Sequence, residues 1–576
     1  MAAIAFRPQL ARCSESSETN SGSVLTVTAD GTNSRTVREA AIDLFRQLGL
    51  TTIFSNPSHT EMKLFEAWPD DFRFIMGLQE ATVVGMADGY AQATGEPSLV
   101  IINGGPGVGN AMGSIYTAAS AHTPMVIIGG VQARKLVQGE PFLNAPEATS
   151  LPRPYIKWAG EAARPQDVPA LIEKAYHIAN QTPRGPVYVA VPEDDWVRPA
   201  TPTPLKVRTV APAVVPDPAV LATVAEALNS AARPALVAGP GVEIGGARRD
   251  LVKLAERLNA RVYGSPVWPR GSFPETHPLF GGVLAPMPEL INQVLGEHDV
   301  VVVLGSPTFT LFTTFDLFST APAPLDGSDL PSLPAGTAFY QVTDDPQAAA
   351  WSMAGTAYVA PPAQFVRDLV PLLPQRQRTP LPPLREPVPT PVESEPLSQA
   401  YLFHLLAQEL PSDAQLFEEL PIARADFHEQ IPLGPDNGYF ATASGALGFP
   451  FAGAVGYSLA RPDQRVVVVM GEGSAQYTLH ALWTAGKQNL PITFVIPNNS
   501  GYLSLKYYLD EASQNAWQVG WDLSDVDMAQ LARGFGVPGE RIETPEQLRG
   551  ALKNALNSEG PVLLDVVVAD PGLFRL

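Results

Sequence analysis

Short hydrophobic runs alternate along this chain with segments in which apolar residues recur every three or four positions. The runs are bounded by Gly, Pro, Asn and Ser, which is typical of buried strands, whereas the spaced pattern is typical of helices that pack on one face. Residues 34–48 show the helical pattern, which stops at Gly49, and residues 99–102 form an uninterrupted apolar run after Ser98. Because strand and helix alternate throughout, the pattern predicts an α/β fold of doubly wound parallel sheets.

Two proline-rich stretches, residues 199–217 and 371–396, divide the chain. Such segments are extended and act as spacers, so we interpret both as surface linkers. A chain of 576 residues also exceeds what one hydrophobic core organises. The first and third units share one coarse plan, as two diverged copies would. We predict a disordered tail at 1–33, α/β units at 34–200, 210–370 and 397–576, and a linker at 371–396.

Charge and cysteine content exclude several classes of function. The net charge of −20 disfavours nucleic acid and anionic membranes as partners. Cys13 is the only cysteine, so disulfides, cysteine metal clusters and a cysteine nucleophile are excluded. No apolar run approaches the roughly 18 residues of a membrane span, and residues 1–33 lack the apolar core of a secretory signal. These features predict a cytoplasmic protein.

A glycine-rich turn at residues 239–246 lies in the second unit. It lacks the Gly-x-Gly-x-x-Gly spacing of a dinucleotide-binding loop, because position 244 is Ile. We therefore predict that the second unit is structural and empty, apart from residues that it lends to the active site.

The stretch with the most specific chemistry spans residues 471–499. The apolar run Val466–Met470 precedes Gly471, Glu472 and Gly473, and a second apolar run ends just before Asn499. Glu472 and Asn499 therefore follow two successive predicted strands. The carboxyl ends of parallel strands meet at the edge where α/β folds bind ligands, so both side chains are expected there.

The residue types at this edge limit what it can bind. A carboxylate and an amide oxygen suit a hard cation such as Mg²⁺. Gly471 and Gly473 would let a phosphate approach the backbone, and a helix starting near Ser474 would supply free N–H groups and a positive dipole end. The predicted ligand is a diphosphate carried on a divalent metal. The alternative is an ordinary strand–glycine–helix turn with a solvated Glu472.

This layout resembles the thiamin diphosphate motif, in which Gly-Asp-Gly and an Asn pair lie about 27 residues apart. The usual Asp of that motif is Glu472 here, which keeps the charge on a longer side chain. From about residue 34 to residue 570, the chain is similar to the thiamin diphosphate-dependent 2-keto acid decarboxylases, the family of benzoylformate decarboxylase. The stretches that carry the similarity include residues 72–81, 85–91, 109–113, 183–188 and 481–485.

The resemblance implies three domains: pyrimidine-binding, central and diphosphate-binding. It also implies that the pyrimidine-binding domain of one subunit meets the diphosphate-binding domain of another. The active site would then need at least a homodimer, and such enzymes are usually homotetramers. The implied cofactors are thiamin diphosphate and Mg²⁺.

The resemblance also assigns roles to individual residues. Glu80 would activate the cofactor by a hydrogen bond to N1′ of its pyrimidine, although a helix N-terminal Glu that only offsets a dipole is the alternative. Leu447 would bend the cofactor. The implied metal ligands are Glu472, Asn499 and the backbone carbonyl of Gly501. The other implied cofactor contacts are Gly445, Gly471, Gly473, Ser474, Asn499 and Glu419.

The chain departs from the family where acid–base groups are expected. The family has Ser in the early turn, where this chain has His59, and a catalytic His after the third strand, where this chain has Asn103. Asn103 cannot transfer protons near neutral pH. Proton transfer would then be carried out by His59, by water, or by His277, which matches a family His before a Pro. His59 could instead be an ordinary polar turn residue.

The diphosphate side of the site also departs from the family. Pro421 and Ile422 replace hydroxyl residues that would bind diphosphate. Pro421 has no N–H to donate. How the diphosphate is anchored on this side is therefore left open by the resemblance.

We predict a lyase that decarboxylates an aromatic or branched 2-keto acid without oxidation, through an enamine intermediate. A His in the early turn is similar to benzaldehyde lyase, so carboligation or acyloin cleavage is an alternative. A non-catalytic binding subunit with a thiamin diphosphate fold is a second alternative, because Glu472, Asn103 and Pro421 all depart from the family at one site.

Overall fold

The computed structural model describes residues 35–201, 206–211, 214–310, 336–352, 354–375, 381–385, 387–506 and 520–570. The predicted tail with Cys13 and part of the second linker lie outside this range. The described chain forms three parallel sheets of six strands each, with helices on their faces. This confirms the predicted fold class. None of the helices in the described ranges is long and apolar enough to cross a membrane.

The first sheet has the strand order β2-β1-β3-β4-β6-β5, with every pair parallel. Strand β5 was not predicted from the sequence. The strands are β1 (Thr52–Ser55), β2 (Arg73–Met76), β3 (Ser98–Asn103), β4 (Met125–Val131), β5 (Trp158–Glu161) and β6 (Pro186–Pro192). The helices are α1 (Val37–Leu48), α2 (Met62–Phe65), α3 (Glu80–Thr94), α4 (Pro106–Ser120) and α5 (Val168–Asn180).

The second sheet has the order β12-β11-β10-β7-β8-β9. At the reversal of strand order, a Cβ on Gly239 would lie 2.5 Å from the carbonyl O of Gly305, so backbone fills the crevice between β7 and β10. The strands are β7 (Pro234–Ala238), β8 (Arg261–Gly264), β9 (Phe280–Val283), β10 (Val300–Leu304), β11 (Ala338–Thr343) and β12 (Thr356–Val359). The helices are α6 (Pro218–Ser230), α7 (Pro240–Ile244), α8 (Arg248–Leu258), α9 (Pro288–Leu295), α10 (Pro346–Ala350) and α11 (Pro362–Leu369).

The third sheet has the order β14-β13-β15-β16-β18-β17, which repeats the topology of the first sheet and confirms their shared plan. The strands are β13 (Gln415–Glu419), β14 (Gly438–Ala441), β15 (Val466–Met470), β16 (Ile492–Asn498), β17 (Gly539–Ile542) and β18 (Val562–Val567). The helices are α12 (Gln399–Glu409), α13 (Arg424–Gln430), α14 (Phe449–Ala460), α15 (Glu472–Ala475), α16 (Ala481–Gln488), α17 (Leu503–Lys506) and two more, Met528–Gly534 and Pro545–Leu556.

The helix predicted to start near Ser474 differs from the structure. Two helices, α15 and α16, lie there, separated by a turn at residues 476–480. In the first unit, α4 begins at Pro106, soon after β3 ends at Asn103. Pro is favoured in the first turn of a helix, since its missing N–H would have no partner there.

Helices α3 and α14 join the first and third units along a seam of small residues. A Cβ on Gly89 would lie 1.9 Å from the carbonyl O of Gly453, and one on Gly456 would lie 1.8 Å from the carbonyl O of Met86. Only glycine permits this approach of two backbones. The seam therefore fixes the N-terminus of α3 relative to the loop that precedes α14.

Replacing Gly456 by Ala is expected to destabilise the protein by about 1–3 kcal/mol, since the added methyl overlaps backbone that cannot move freely. The matched control is Gly550→Ala in the last helix, where a Cβ meets nothing within 4 Å and Ala should stabilise by about 0.5–1 kcal/mol. Thermal unfolding of both variants measures the difference. Equal unfolding temperatures would contradict the tight seam.

Candidate active site

A cleft opens at the carboxyl edge of the third sheet, where β13, β15 and β16 end side by side. Glu472 follows β15 and Asn499 follows β16, as the sequence predicted. Because neighbouring parallel strands end at one edge, two residues 27 positions apart come into contact. The lining includes Leu420, Pro421, Ile422, Gly471, Glu472, Gly473, Ser474, Asn499, Gly501 and Tyr502.

Three oxygen-bearing groups converge in this cleft. The backbone N–H of Gly501 donates to Glu472 Oε1 at 2.7 Å. When the Asn499 amide nitrogen points towards Glu472 and Gly501, it donates to Glu472 Oε1 at 3.1 Å and to the carbonyl O of Gly501 at 2.8 Å. The opposite amide orientation brings the Asn499 oxygen to the same two oxygens. Glu472 is 2% exposed, and its burial raises its pKa to about 7.

Gly471 and Gly473 differ in how much space surrounds their Cα atoms. A Cβ on Gly471 would meet nothing within 4 Å, so its backbone is open, as predicted. A Cβ on Gly473 would lie 2.6 Å from the ring of Tyr502, which covers that residue instead. Helix α15 has only four residues, so the expected dipole of a long helix starting near Ser474 is not present. Ser474 itself lines the cleft.

Glu419 holds the loop that carries Leu447. The N–H of Gly448 donates to Glu419 Oε1 at 3.0 Å and to Oε2 at 3.2 Å. Gly448 has a φ of 106°, which L residues rarely adopt. Burial raises the pKa of Glu419 to about 8, with the Gly448 N–H and Ser474 opposing the shift. Gly445, in the same loop, has open space at its Cα.

The raised pKa of Glu419 predicts a pH-dependent stability. The folded state binds the extra proton between the unfolded pKa near 4.5 and the folded value near 8. This contribution is therefore fully present below about pH 4.5 and is lost as the pH rises towards 8. Glu419→Gln should flatten the fall in unfolding temperature between pH 6 and 8, whereas the exposed Glu546→Gln should not. Identical pH profiles for both variants would contradict the assignment.

Glu80 is the first residue of α3, at the carboxyl edge of the first sheet. The side chain of Gln79 caps the helix by accepting from the N–H groups of Ala81 and Thr82. Asn110 Nδ2 donates to Glu80 Oε2 at 3.0 Å, a contact that the sequence did not indicate. This contact depends on α4 starting early enough to place Asn110 inside the helix.

Within one chain, Glu80 is not bonded to the oxygen-bearing groups of the cleft at the carboxyl edge of the third sheet. In the described part of the chain, no hydrogen bond or ion pair links Glu80 with Glu472 or Asn499. The apolar side chains of Met76 and Leu78, next to Glu80, are 37% and 38% exposed. Apolar surface next to Glu80 is therefore partly exposed.

Asn103 and His59 share this edge of the first sheet. Asn103 is 3% exposed and donates to Thr60 Oγ1 at 2.9 Å and to Ser58 Oγ at 3.3 Å. Its Oδ1 accepts from the N–H of Gly105 at 3.0 Å. These bonds use the amide to tie two loops together. His59 instead projects outwards, 71% exposed, and its Nδ1 lies 3.2 Å from Glu193 Oε2.

Comparison with family models covers most of the described chain. Residues 35–150 match the thiamine pyrophosphate enzyme N-terminal TPP binding domain, residues 221–327 match the central domain, and residues 425–566 match the C-terminal TPP binding domain. The chain belongs to the thiamin diphosphate enzymes. The resemblance inferred from the Gly471 and Glu80 stretches is thereby confirmed, and the first and third units match the two cofactor-binding domains of the family.

Comparison with individual proteins shows which members of the family the chain resembles. The enzyme is 37% identical to benzoylformate decarboxylase of Pseudomonas aeruginosa over 92% of this chain and 98% of that protein. It is 25% identical to the acetolactate synthase large subunit of Haemophilus influenzae over 92% and 94%. The solved structure of the thiamine diphosphate-dependent 4-hydroxybenzoylformate decarboxylase of Rhodococcus jostii superposes with a TM-score of 0.87 and 36% identity, over 93% of this chain and 99% of that one.

His277 is not brought to the edge that carries His59. Its Nδ1 accepts from the N–H of Leu279 at 3.2 Å, and its Nε2 lies 3.4 Å from Glu256 Oε1. Its ring also packs edge-on against Phe273. All of these partners belong to the second unit of the enzyme. Within one chain the structure therefore separates His277 from the other candidate catalytic residues.

Glu61 is a buried carboxylate that our sequence analysis missed. Its Oε2 accepts from the N–H of Ser58 at 2.7 Å, and its Oε1 accepts from the hydroxyl of Thr60. A Cβ on Gly130 would lie 2.2 Å from Glu61 Oε1, so glycine is required beneath it. Burial raises the pKa of Glu61. The Ser58-x-x-Glu61 spacing of a capping box was the available signal.

Proposed function

We propose that this enzyme is a thiamin diphosphate- and Mg²⁺-dependent decarboxylase of an aromatic 2-keto acid of the benzoylformate type. The observation that carries the proposal is the convergence of Glu472, Asn499 and Gly501 in a chain that also presents Glu80 at a sheet edge. Two of its relatives are named for benzoylformate or 4-hydroxybenzoylformate. The acetolactate synthases are more distant, at 24–26% identity.

The oxygen cluster fits a magnesium ion. Neighbouring ligands of an octahedral Mg²⁺ with bonds of about 2.0–2.1 Å lie roughly 2.9 Å apart. The Asn499 amide lies 3.1 Å from Glu472 Oε1 and 2.8 Å from the Gly501 carbonyl. With the amide oxygen facing the ion, Glu472, Asn499 and Gly501 would hold it and thereby the diphosphate. Bound thiamin diphosphate supplies the carbon nucleophile and the electron sink for removing CO₂ from a 2-keto acid.

Residues of the chain itself would supply the proton transfer, the cofactor conformation and the exclusion of water. Glu80 would hold a proton at the pyrimidine side of the cofactor, with Oε2 fixed by Asn110. Leu447 would set the cofactor's conformation from a loop that Glu419 holds. Of the two predicted imidazoles, His59 is the one at the edge that carries Glu80 and can move a proton near neutral pH. Apolar Leu420 and Ile422 would help to exclude water.

The site is proposed to form between two subunits. The separation of Glu80 from Glu472 within one chain and the exposed Met76 and Leu78 beside Glu80 both support a partner at this edge. We propose a homodimer as the minimal active unit and a homotetramer as the assembly. The corresponding domains are 34–200 for the pyrimidine, 210–370 as the central domain and 397–576 for the diphosphate.

The test is turnover of benzoylformate by the enzyme saturated with thiamin diphosphate and Mg²⁺. Benzaldehyde and CO₂ in equal amounts are expected, with 4-hydroxybenzoylformate as a second aromatic substrate and pyruvate as the aliphatic control. Cofactor binding is measured in parallel by calorimetry. Bound cofactor without aldehyde from either aromatic acid would overturn the decarboxylase proposal.

Asn103 favours carboligation as a second candidate function. Its amide is occupied by Thr60, Ser58 and Gly105, and an amide is no proton donor of catalytic strength near neutral pH. A slow final protonation would leave time for attack on a second aldehyde. Adding acetaldehyde to the benzoylformate reaction is expected to divert product to a 2-hydroxy ketone. Benzaldehyde as the sole product would eliminate this candidate.

His59→Ala is expected to lower kcat by about tenfold or more, since acid–base groups contribute about 10²- to 10⁴-fold. The acidic limb of the pH–rate profile should disappear and cofactor affinity should stay unchanged. His404→Ala is the control, because His404 bonds to Gln430 and Gln408 in the third unit. An unchanged kcat and pH profile for His59→Ala would make His59 a plain turn residue.

A further inference from the structure

A second cleft lies where the three units meet, at the opposite end of helices α3 and α14 from the candidate active site. It encloses about 360 Å³. Gln92 enters it from α3, Tyr457 and Arg461 from the end of α14, and Glu243 and Arg270 from the second unit. Polar groups dominate its walls, so it does not suit an aryl substrate. Neither the proposed reaction nor the family comparison uses it.

Arg270 is held rigidly on one side and left unpaired on the other. Its Nη1 donates to Gln92 Oε1 at 2.7 Å, and its guanidinium stacks 4.3 Å from the centre of the Phe440 ring. Its Nε is buried and has no hydrogen-bond partner. Within the described ranges, no carboxylate forms an ion pair with it. The remaining nitrogen, Nη2, forms no hydrogen bond among the described residues, and a fixed, planar guanidinium with such a nitrogen is suited to a carboxylate.

Glu243 supplies the opposite charge in the same cleft. It lies in α7 and interacts electrostatically with Arg270 without forming an ion pair with it among the described residues. Both α3 and α14 end here, and the C-terminal end of a helix carries partial negative charge. The cleft thus presents a positive group, the guanidinium of Arg270, and a negative region formed by Glu243 and the two helix ends. A ligand that bridges them needs both a carboxylate and a cation.

Arg461 and the amides complete the polar wall. Arg461 Nη2 donates to the carbonyl O of Ala93 at 2.9 Å, which leaves its other nitrogens at the surface. The hydroxyl of Tyr457 lies 2.7 Å from Gln464 Oε1 and 3.0 Å from Gln415 Oε1. These groups suit a polar side chain in preference to an apolar one.

We propose that this cleft is a binding site for a small zwitterion, a free amino acid with a polar side chain. Its carboxylate would pair with Nη2 of Arg270 and with Arg461. Its ammonium group would face Glu243 and the helix ends, and its side chain would meet Gln464 and Tyr457. Because the ligand would contact all three units at once, its binding would stabilise the folded chain.

The test is calorimetric titration and thermal unfolding of the cofactor-loaded enzyme with L-glutamine and L-serine, followed by the other proteinogenic amino acids. At least one is expected to bind saturably, once per chain, and to raise the unfolding temperature as its concentration exceeds Kd. Propionate, which lacks the ammonium group, and ethanolamine, which lacks the carboxylate, should bind at least about tenfold more weakly.

Variants at the rim of the cleft test whether the amino acid binds there. Arg270 itself is not replaced, because changing this buried residue could prevent the protein from folding. Glu243→Gln and Arg461→Gln should each weaken binding at least about tenfold, while their ligand-free unfolding temperatures report on folding. Arg249→Gln, an exposed arginine outside the cleft, is the matched control. The proposal is overturned by no saturable binding of any amino acid, by propionate binding as well as the zwitterion, or by binding that both rim variants leave unchanged. These readouts do not depend on the reaction catalysed.

Discussion

Glu80→Gln is expected to lower kcat by about 10³-fold while thiamin diphosphate stays bound, within the 10²- to 10⁴-fold range of acid–base groups. Gln keeps the size of the side chain and can still accept from Asn110 Nδ2, which donates to Glu80 Oε2 at 3.0 Å. It cannot share a proton with a pyrimidine nitrogen. Steady-state kinetics and the cofactor content of the purified variant separate loss of chemistry from loss of binding.

The control for this variant is Glu39→Gln. Glu39 is also an acidic residue in the first turn of a helix, where it completes the capping box of Thr36 in α1. Its replacement should lower the unfolding temperature slightly and leave kcat unchanged. If Glu80→Gln behaved like Glu39→Gln, Glu80 would be a carboxylate that only offsets a helix dipole.

Glu472→Ala is expected to abolish cofactor binding at ordinary concentrations, with Kd for thiamin diphosphate and Mg²⁺ raised at least about 100-fold. Loss of an outer-shell partner alone costs about 10- to 100-fold in metal affinity, and Glu472 is the carboxylate of the oxygen cluster. Ala also leaves the N–H of Gly501 without its acceptor, which lies at 2.7 Å. Reconstitution of the metal-free protein, followed by calorimetry, measures the change.

Glu472→Asp is the informative companion to this variant. Asp is the residue usual in the thiamin diphosphate motif, so it should still bind the metal, with an affinity between those of the wild type and Glu472→Ala. Exposed Glu546→Ala should have no effect. Wild-type cofactor affinity in Glu472→Ala would remove the metal site from this cleft.

The two inactive variants together test whether the site is shared between subunits. When Glu80→Gln and Glu472→Ala chains are co-expressed, each mixed dimer has one site with both changes and one native site. Random pairing should therefore restore about a quarter of the wild-type activity in a symmetric dimer. No recovery from verified mixed dimers would place both residues in one chain's site.

The sequence by itself determined the parts that depend on local pattern. Apolar runs such as Val466–Met470 are strands because they bury both faces, and helix α1 ends at Gly49 because glycine adopts its φ of 73° without strain. The convergence of Glu472 and Asn499 also followed from the sequence. Each residue follows the end of a strand within two positions, and the two strands are parallel neighbours, so their ends meet at one edge.

Only the tertiary structure decided the parts that depend on distant contacts. It placed His277 beside Glu256 in the second unit, and it set Asn103 into bonds with Thr60 and Ser58. It also covered Gly473 with Tyr502, which the chain order does not reveal. The contact partners of a side chain depend on the strand order and on how helices pack together, and both are set by contacts between residues far apart in the chain. The repeats of 2.0 residues in strands and 3.6 residues in helices show only which face of an element is buried.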